Sequence, residues 1–105
     1  MGGLFMSVYF VANICIHDQN EYNKYLEKVD SVFGKFNGKY IAVDENPEII
    51  EGEWNYSRII LIEFPDKESL RTWYTSNEYQ DILRHRLSSA KCDTLIVEDL
   101  KKDRI

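Results

Sequence analysis

Between Ser57 and Pro65 the chain reads Ser-Arg-Ile-Ile-Leu-Ile-Glu-Phe-Pro, a strand with one base and one acid among aliphatic and aromatic side chains. Side chains alternate between the two faces of a sheet, so Arg58, Ile60, Ile62 and Phe64 share one face while Ile59, Leu61 and Glu63 share the other. Both faces are apolar enough to need cover. A chain of 105 residues has room for one helical layer, which protects one face. The other face is covered most simply by a second copy of the sheet, so an obligate homodimer is expected.

The remaining segments supply the partners of that strand. Ser7 to Ile16 alternates Val8, Phe10, Ala12, Ile14 and Ile16 against Tyr9, Val11, Asn13 and Cys15, the period of a first strand. Asp18 with Glu21 forms a capping box. Behind it Tyr22, Tyr25, Leu26, Val29, Val32, Phe33 and Phe36 recur at three and four residues, giving a helix of about four to five turns. Asn37-Gly38 is expected to stop it, since both tolerate the left-handed conformation of a C-terminal cap. Lys39 to Asp44 reads as the second strand, with Glu48 to Glu51 open to renewed pairing after Pro47. Ser57 to Phe64 is the third, ended by Pro65. Asp66 caps a second helix with Leu70, Trp73 and Tyr74 inside, and Ser76 caps again, so this helix breaks near Thr75. Tyr79, Ile82, Leu83, Arg86 and Leu87 then define its inner side, and Asp93 to Glu98 is the last strand.

Strand, helix, strand, strand, helix, strand is the ferredoxin-like βαββαβ pattern, an α+β fold with an antiparallel sheet. Two helices cover only one face of four strands, and pairing the uncovered faces makes a dimeric α/β barrel. Residues 1–6 read as a flexible N-terminal extension, 7–100 as a single domain and 101–105 as a charged tail.

Composition narrows the partners. Eighteen acidic against 13 basic residues give a net charge of −5, which opposes binding to nucleic acid or anionic lipid. No run approaches the roughly 18 apolar residues of a membrane span, and the N-terminus lacks the regions of a signal peptide, so a cytoplasmic protein is expected. A myristoylation signal fails because Met6 holds the Ser/Thr position. Cys15 and Cys92 lack CxxC spacing and nearby histidine; they read as buried reduced thiols, with a disulfide between them left open.

From Val8 to about Asp99 the chain resembles the bacterial family DUF1330, within the dimeric α+β barrel superfamily. The matching residues are Asp18, Tyr25, Gly38, Glu51-Gly52-x-Trp54, Arg58, Ile62-Glu63-Phe64-Pro65, Ser76-x-x-Tyr79 and Arg86. Asn37-Gly38 stands where the family often has Gly-Gly. The resemblance implies a fold that hosts cofactor-independent monooxygenases, lactone isomerases, haem-handling enzymes and plain ligand-binding modules, and the family itself has no assigned function.

The residues offer several sites. Arg58 and Glu63 leave their strand on opposite faces and form no ion pair within one subunit. If Glu63 faces the helices it lies near Tyr79 and Arg86, where desolvation would raise its pKa and make it a general base; the structural alternative is a Glu63–Arg86 ion pair. His17, beside the first strand, is the other acid/base candidate, set against a cap-adjacent surface role. His85 is expected on the exposed face beside Arg86. Trp54 reads as an interface anchor or pocket lid, and Asn13 as a buried amide binding a ligand or its symmetry mate. Thus Glu63 and His17 are the catalytic candidates, and Asn13, Trp54, Arg58, Tyr79 and Arg86 the ligand-binding ones. Neither histidine has a second ligand at metal spacing, and no phosphate loop, nucleophile elbow or HExxH motif occurs, so no metal or cofactor is expected. The leading reading is a homodimeric barrel binding a small organic ligand between sheet and helices. The alternative is a cofactor-independent monooxygenase- or isomerase-like enzyme acting on an aromatic or lactone substrate, and a third is a structural dimer without a pocket.

Overall fold

A computed structural model of the chain describes residues 6–100. The elements are β1 (Val8–Ile16), α1 (Gln19–Phe33), β2 (Lys39–Asp44), β3 (Arg58–Phe64), α2 (Lys67–Thr75), α3 (Asn77–Ser89) and β4 (Ala90–Glu98). The four strands form one antiparallel sheet in the order β2-β3-β1-β4, the ferredoxin-like βαββαβ topology with its second helix in two pieces.

Local chemistry sets the helix ends. The Asp18 carboxylate accepts the Glu21 backbone N–H at 3.1 Å, and that of Asp66 accepts the Ser69 N–H at 2.7 Å, each satisfying an orphan donor of a first turn. Ser76 serves two helices. Its hydroxyl donates to the Trp73 carbonyl at the end of α2 and accepts from the Tyr79 N–H at the start of α3. The break near Thr75 read from the sequence therefore stands.

Helices cover the even-numbered face of β1. Val8, Phe10, Ala12 and Ile14 are buried there together with Ile60, Ile62 and Phe64 of β3. Above them Trp73 is the hub, with ring centroids 4.2 Å from Tyr79, 5.2 Å from Phe10 and 5.3 Å from Phe64. Rings of this size each remove on the order of 150–250 Å² from water, so this cluster dominates the core.

Several expectations are corrected. α1 ends at Phe33 and not at Asn37; Gly34 is its cap, donating its N–H to the Asp30 carbonyl. Asn37, at φ 63°, and Gly38 instead make the turn into β2. A Cβ on Gly38 would stand 2.1 Å from Phe33 Cε1, so close ring packing requires glycine there. Residues 48–51 pair with no strand, and β4 begins at Ala90, straight out of α3, rather than at Asp93. Leu87 is 60% exposed in the single chain while His85 is buried, which turns the inner stripe of α3 toward the histidine. The thiols are free and half-buried. Register puts Cys92 opposite Ile14 on the helical face and Cys15 on the other face, so no disulfide joins them. Among the described residues no helix is long and apolar enough to cross a membrane. The expectations for the tail and, Met6 apart, for the N-terminal extension lie outside the described residues.

Candidate functional site

One row across the helical face runs from Arg58 on β3 through Ile14 on β1 to Cys92 on β4, since each is register partner of the next. Over this row lie Tyr22 and Tyr25 from α1 and Tyr79 and Arg86 from α3, all buried. The spacing of the two tyrosines in α1 and of Tyr79 and Arg86 in α3 places each pair on one inward stripe. The Tyr25 and Tyr79 hydroxyls are 2.7 Å apart. The Arg86 guanidinium, 2% exposed, lies 5.8 Å from the Tyr25 ring centroid and faces the Tyr79 hydroxyl and the Cys92 thiol.

The electrostatics of this cluster are cationic. No described carboxylate pairs with Arg86, and its Nη1 has no hydrogen-bond partner among the described residues. Two more buried polar atoms share that condition in the same cluster, the Tyr22 hydroxyl and Arg58 Nε, and a fourth, Trp73 Nε1, lies in the aromatic core beside Tyr79. The outer end of Arg58 meets Glu45, with Nη1 3.3 Å from the exposed carboxylate. Burial pushes the Tyr22 hydroxyl up, and the charges of both Arg58 and Arg86 pull against it. Burial likewise holds Tyr25 well above the ordinary tyrosine value and raises Tyr79, with Arg86 opposing in each case. For Arg86 burial works against the charge, but Tyr79, Tyr25 and Cys92 outweigh it and the net direction is up. At neutral pH the cluster therefore offers neutral hydroxyls and fixed positive charge. It can donate hydrogen bonds to an acceptor, and no described carboxylate joins it.

The other sheet face carries the remaining candidates. Asn13 accepts from Trp54 Nε1 at 2.9 Å, and the Tyr56 hydroxyl donates to Asp93 at 2.6 Å, so the loop before β3 is tied down across this face. Glu63 stands here too, paired in register with Tyr9 and Lys39. The expectation that Glu63 meets Tyr79 and Arg86 is thus corrected: it is Arg58 that faces the helices, because buried Ile60, Ile62 and Phe64 fix the parity of β3. No Glu63–Arg86 ion pair forms.

The histidines also part from expectation in one case. His17 is exposed at the end of β1, its backbone N–H bonded to the Ser89 carbonyl. His85 is inward, with Nδ1 2.5 Å from the Glu21 carboxylate of α1. Hydrogen bonds from His85 and Lys24 hold the Glu21 carboxyl below its usual range. Among the described residues no group of three metal-ligating side chains converges. A cleft of about 310 Å³ between α2 and β4, lined by Phe10, Leu70, Tyr74 and Ile96, contains none of the candidate residues.

Of seven candidates, then, Arg58, Tyr79 and Arg86 come together, Asn13 and Trp54 come together elsewhere, and Glu63 and His17 stand apart. Sequence reasoning missed Tyr22, Tyr25 and Cys92 as members. The signal for Tyr22 and Tyr25 was a hydroxyl at a stripe position of α1 that an aliphatic could fill; Cys92 on β4 gave none.

Solved structures of this shape exist. A protein of unknown function from Rhodopseudomonas palustris matches with a TM-score of 0.77 at 14% identity, covering 91% of this chain and 84% of that one. SnoaB, described as a cofactor-independent oxygenase from Streptomyces nogalater, matches at 0.68 and 11%, covering 95% and 99%. A dimeric protein of unknown function and ferredoxin-like fold from Bacteroides fragilis matches at 0.65 and 14%, covering 88% and 95%. At these identities the likeness is one of fold. No curated protein matches the chain. The family model described as a domain of unknown function, DUF1330, matches residues 7–100.

Proposed function

The chain belongs to the DUF1330 family, and on that premise we propose that it acts as a homodimeric α+β barrel binding a small organic molecule between its sheet and its helices. One observation carries the binding: three buried polar atoms, on Arg58, Arg86 and Tyr22, lack partners in a single cluster on the helical face. Buried donors are ordinarily satisfied, and an unpaired one costs about 1–3 kcal/mol. Three together are explained by an acceptor that arrives with a ligand.

The dimer is supported by the opposite face. Tyr9, Val11, Ile59 and Leu61 are only half-buried there, and Leu95 and Val97 of β4 are exposed, although Leu61, Val11 and Leu95 form one register row, Tyr9 and Val97 the next, and Ile59 follows Leu61 on the same face of β3. Contiguous apolar surface of this kind favours a partner. The dimeric description of the Bacteroides fragilis neighbour agrees with that partner being a second copy.

The enzymatic reading ranks below binding. It needed Glu63 as base beside Arg86 and Tyr79, and Glu63 lies on the other side of the sheet. Thermal-shift screening against small aromatic acids, lactones and haem tests the proposal, since a ligand of the folded state raises the Tm. A response abolished by Arg86→Met is expected. No response to any of them would favour a structural dimer.

A further inference from the structure

We infer that the ligand is a small organic carboxylate, whose anionic group is held between Arg86 Nη1, Arg58 Nε and the Tyr22 hydroxyl, with its apolar body against the tyrosine rings. This rests on the binding reading above and adds the chemical class.

The donors select the charge. All three free groups can donate a hydrogen bond: two belong to guanidinium groups that carry positive charge at any accessible pH, and the third is a neutral hydroxyl. An isolated buried cation is expensive, and a buried carboxylate bonded to it relieves that cost. Arg86 is 2% exposed and lacks a described acidic partner, whereas Arg58, nearer the surface, has Glu45 on its outer end only. The inner ends of both therefore carry the need for an anion.

The donor count and surroundings select the carboxylate over a phosphate. Three open donors fill most of the roughly four lone-pair sites of one carboxylate, while a phosphate dianion presents more oxygens than the cluster can satisfy. Ile14, wholly buried, lies between Arg58 and Cys92, and the rings of Tyr25 and Tyr79 stand over that row, so the surroundings of the free donors are largely apolar. A net charge of −5 further disfavours a multiply charged guest.

The test uses benzoate, acetate, benzamide and inorganic phosphate on the whole protein, by thermal shift and by calorimetric titration. Benzoate is expected to raise the Tm saturably by about 3 °C or more, with acetate weaker and benzamide and phosphate flat. Arg58→Gln is expected to weaken benzoate at least about tenfold. Arg86→Met is expected to abolish binding while the ligand-free Tm falls by less than about 10 °C, because methionine keeps the packing and removes a charge that has no described carboxylate partner. Benzamide binding as well as benzoate would overturn the carboxylate assignment and leave the ligand site standing. Silence from all four probes would overturn the carboxylate assignment, and silence from the lactones and haem as well would overturn the binding reading. An Arg86→Met protein that loses more than about 10 °C would show that the arginine is structural and overturn the assignment too.

Discussion

The Tyr25 hydroxyl of α1 and the Tyr79 hydroxyl of α3 meet at 2.7 Å inside the helical layer, 54 residues apart in sequence. This contact locks the two helices over the arginine row. Replacing either tyrosine by phenylalanine leaves the other hydroxyl buried without that partner. Each single variant is expected to lose about 1–2 kcal/mol, and the double variant less than their sum, with a coupling of about 1 kcal/mol. Urea unfolding of the four proteins measures it; strict additivity would mean that the hydroxyls do not interact.

Glycines 34 and 38 predict opposite outcomes for the same substitution. Gly38→Ala drives a Cβ into the Phe33 ring and is expected to cost about 1–3 kcal/mol. Gly34 sits at φ −60°, ψ −16°, where alanine is at ease, and its nearest contact would be 3.4 Å from the Asp30 carbonyl oxygen. Gly34→Ala is expected to be neutral or to add up to about 1 kcal/mol. Chemical denaturation of the two variants decides.

Stability against pH should show two limbs. Glu21 is held down by its hydrogen bonds from His85 and Lys24, and Asp66 by the Ser69 N–H, so both contribute stability above the ordinary values of 4.5 and 3.8. That contribution is lost as pH falls below those values through the lower folded ones. Tyr22, Tyr25 and Tyr79 are raised by burial; their contribution is complete below pH 10.0 and disappears as pH climbs above it, where the unfolded chain ionises first. Urea midpoints from pH 3 to 11 measure both limbs. Glu21→Gln together with Asp66→Asn should flatten the acid limb and leave the alkaline one.

Trp54→Phe keeps the ring and removes the indole donor to Asn13. A loss of about 1 kcal/mol in unfolding free energy is expected, since the Asn13 amide then has one bond fewer on a half-covered face. An unchanged midpoint would assign that bond no net value and leave Trp54 as packing alone.

Much of this architecture was legible in the chain because alternation and caps are local. Asp18, Asp66 and Ser76 each precede the helix that they cap, and the parity of β1 and β3 follows from counting. Counting gives relative faces only. Which face of β3 meets the helices depends on its register with β1, and that is why Glu63 was set beside Arg86 when Arg58 belongs there. His85 departs from its expected exposed position for a related reason: its partner, Glu21, is 64 residues away and invisible to helical periodicity. β4 starts early because Ala90 pairs with Ile16 as soon as α3 ends, although Ala-Lys-Cys has little strand propensity of its own. The unpaired atoms of the arginine row are legible only in three dimensions.

Sedimentation equilibrium at low micromolar concentration is the most direct trial of the claim that a second sheet covers the face bearing Tyr9, Val11 and Leu61. The expected result is one species of twice the 12.4 kDa chain mass. A folded species of single chain mass at that dilution, with that face open to water, would contradict it.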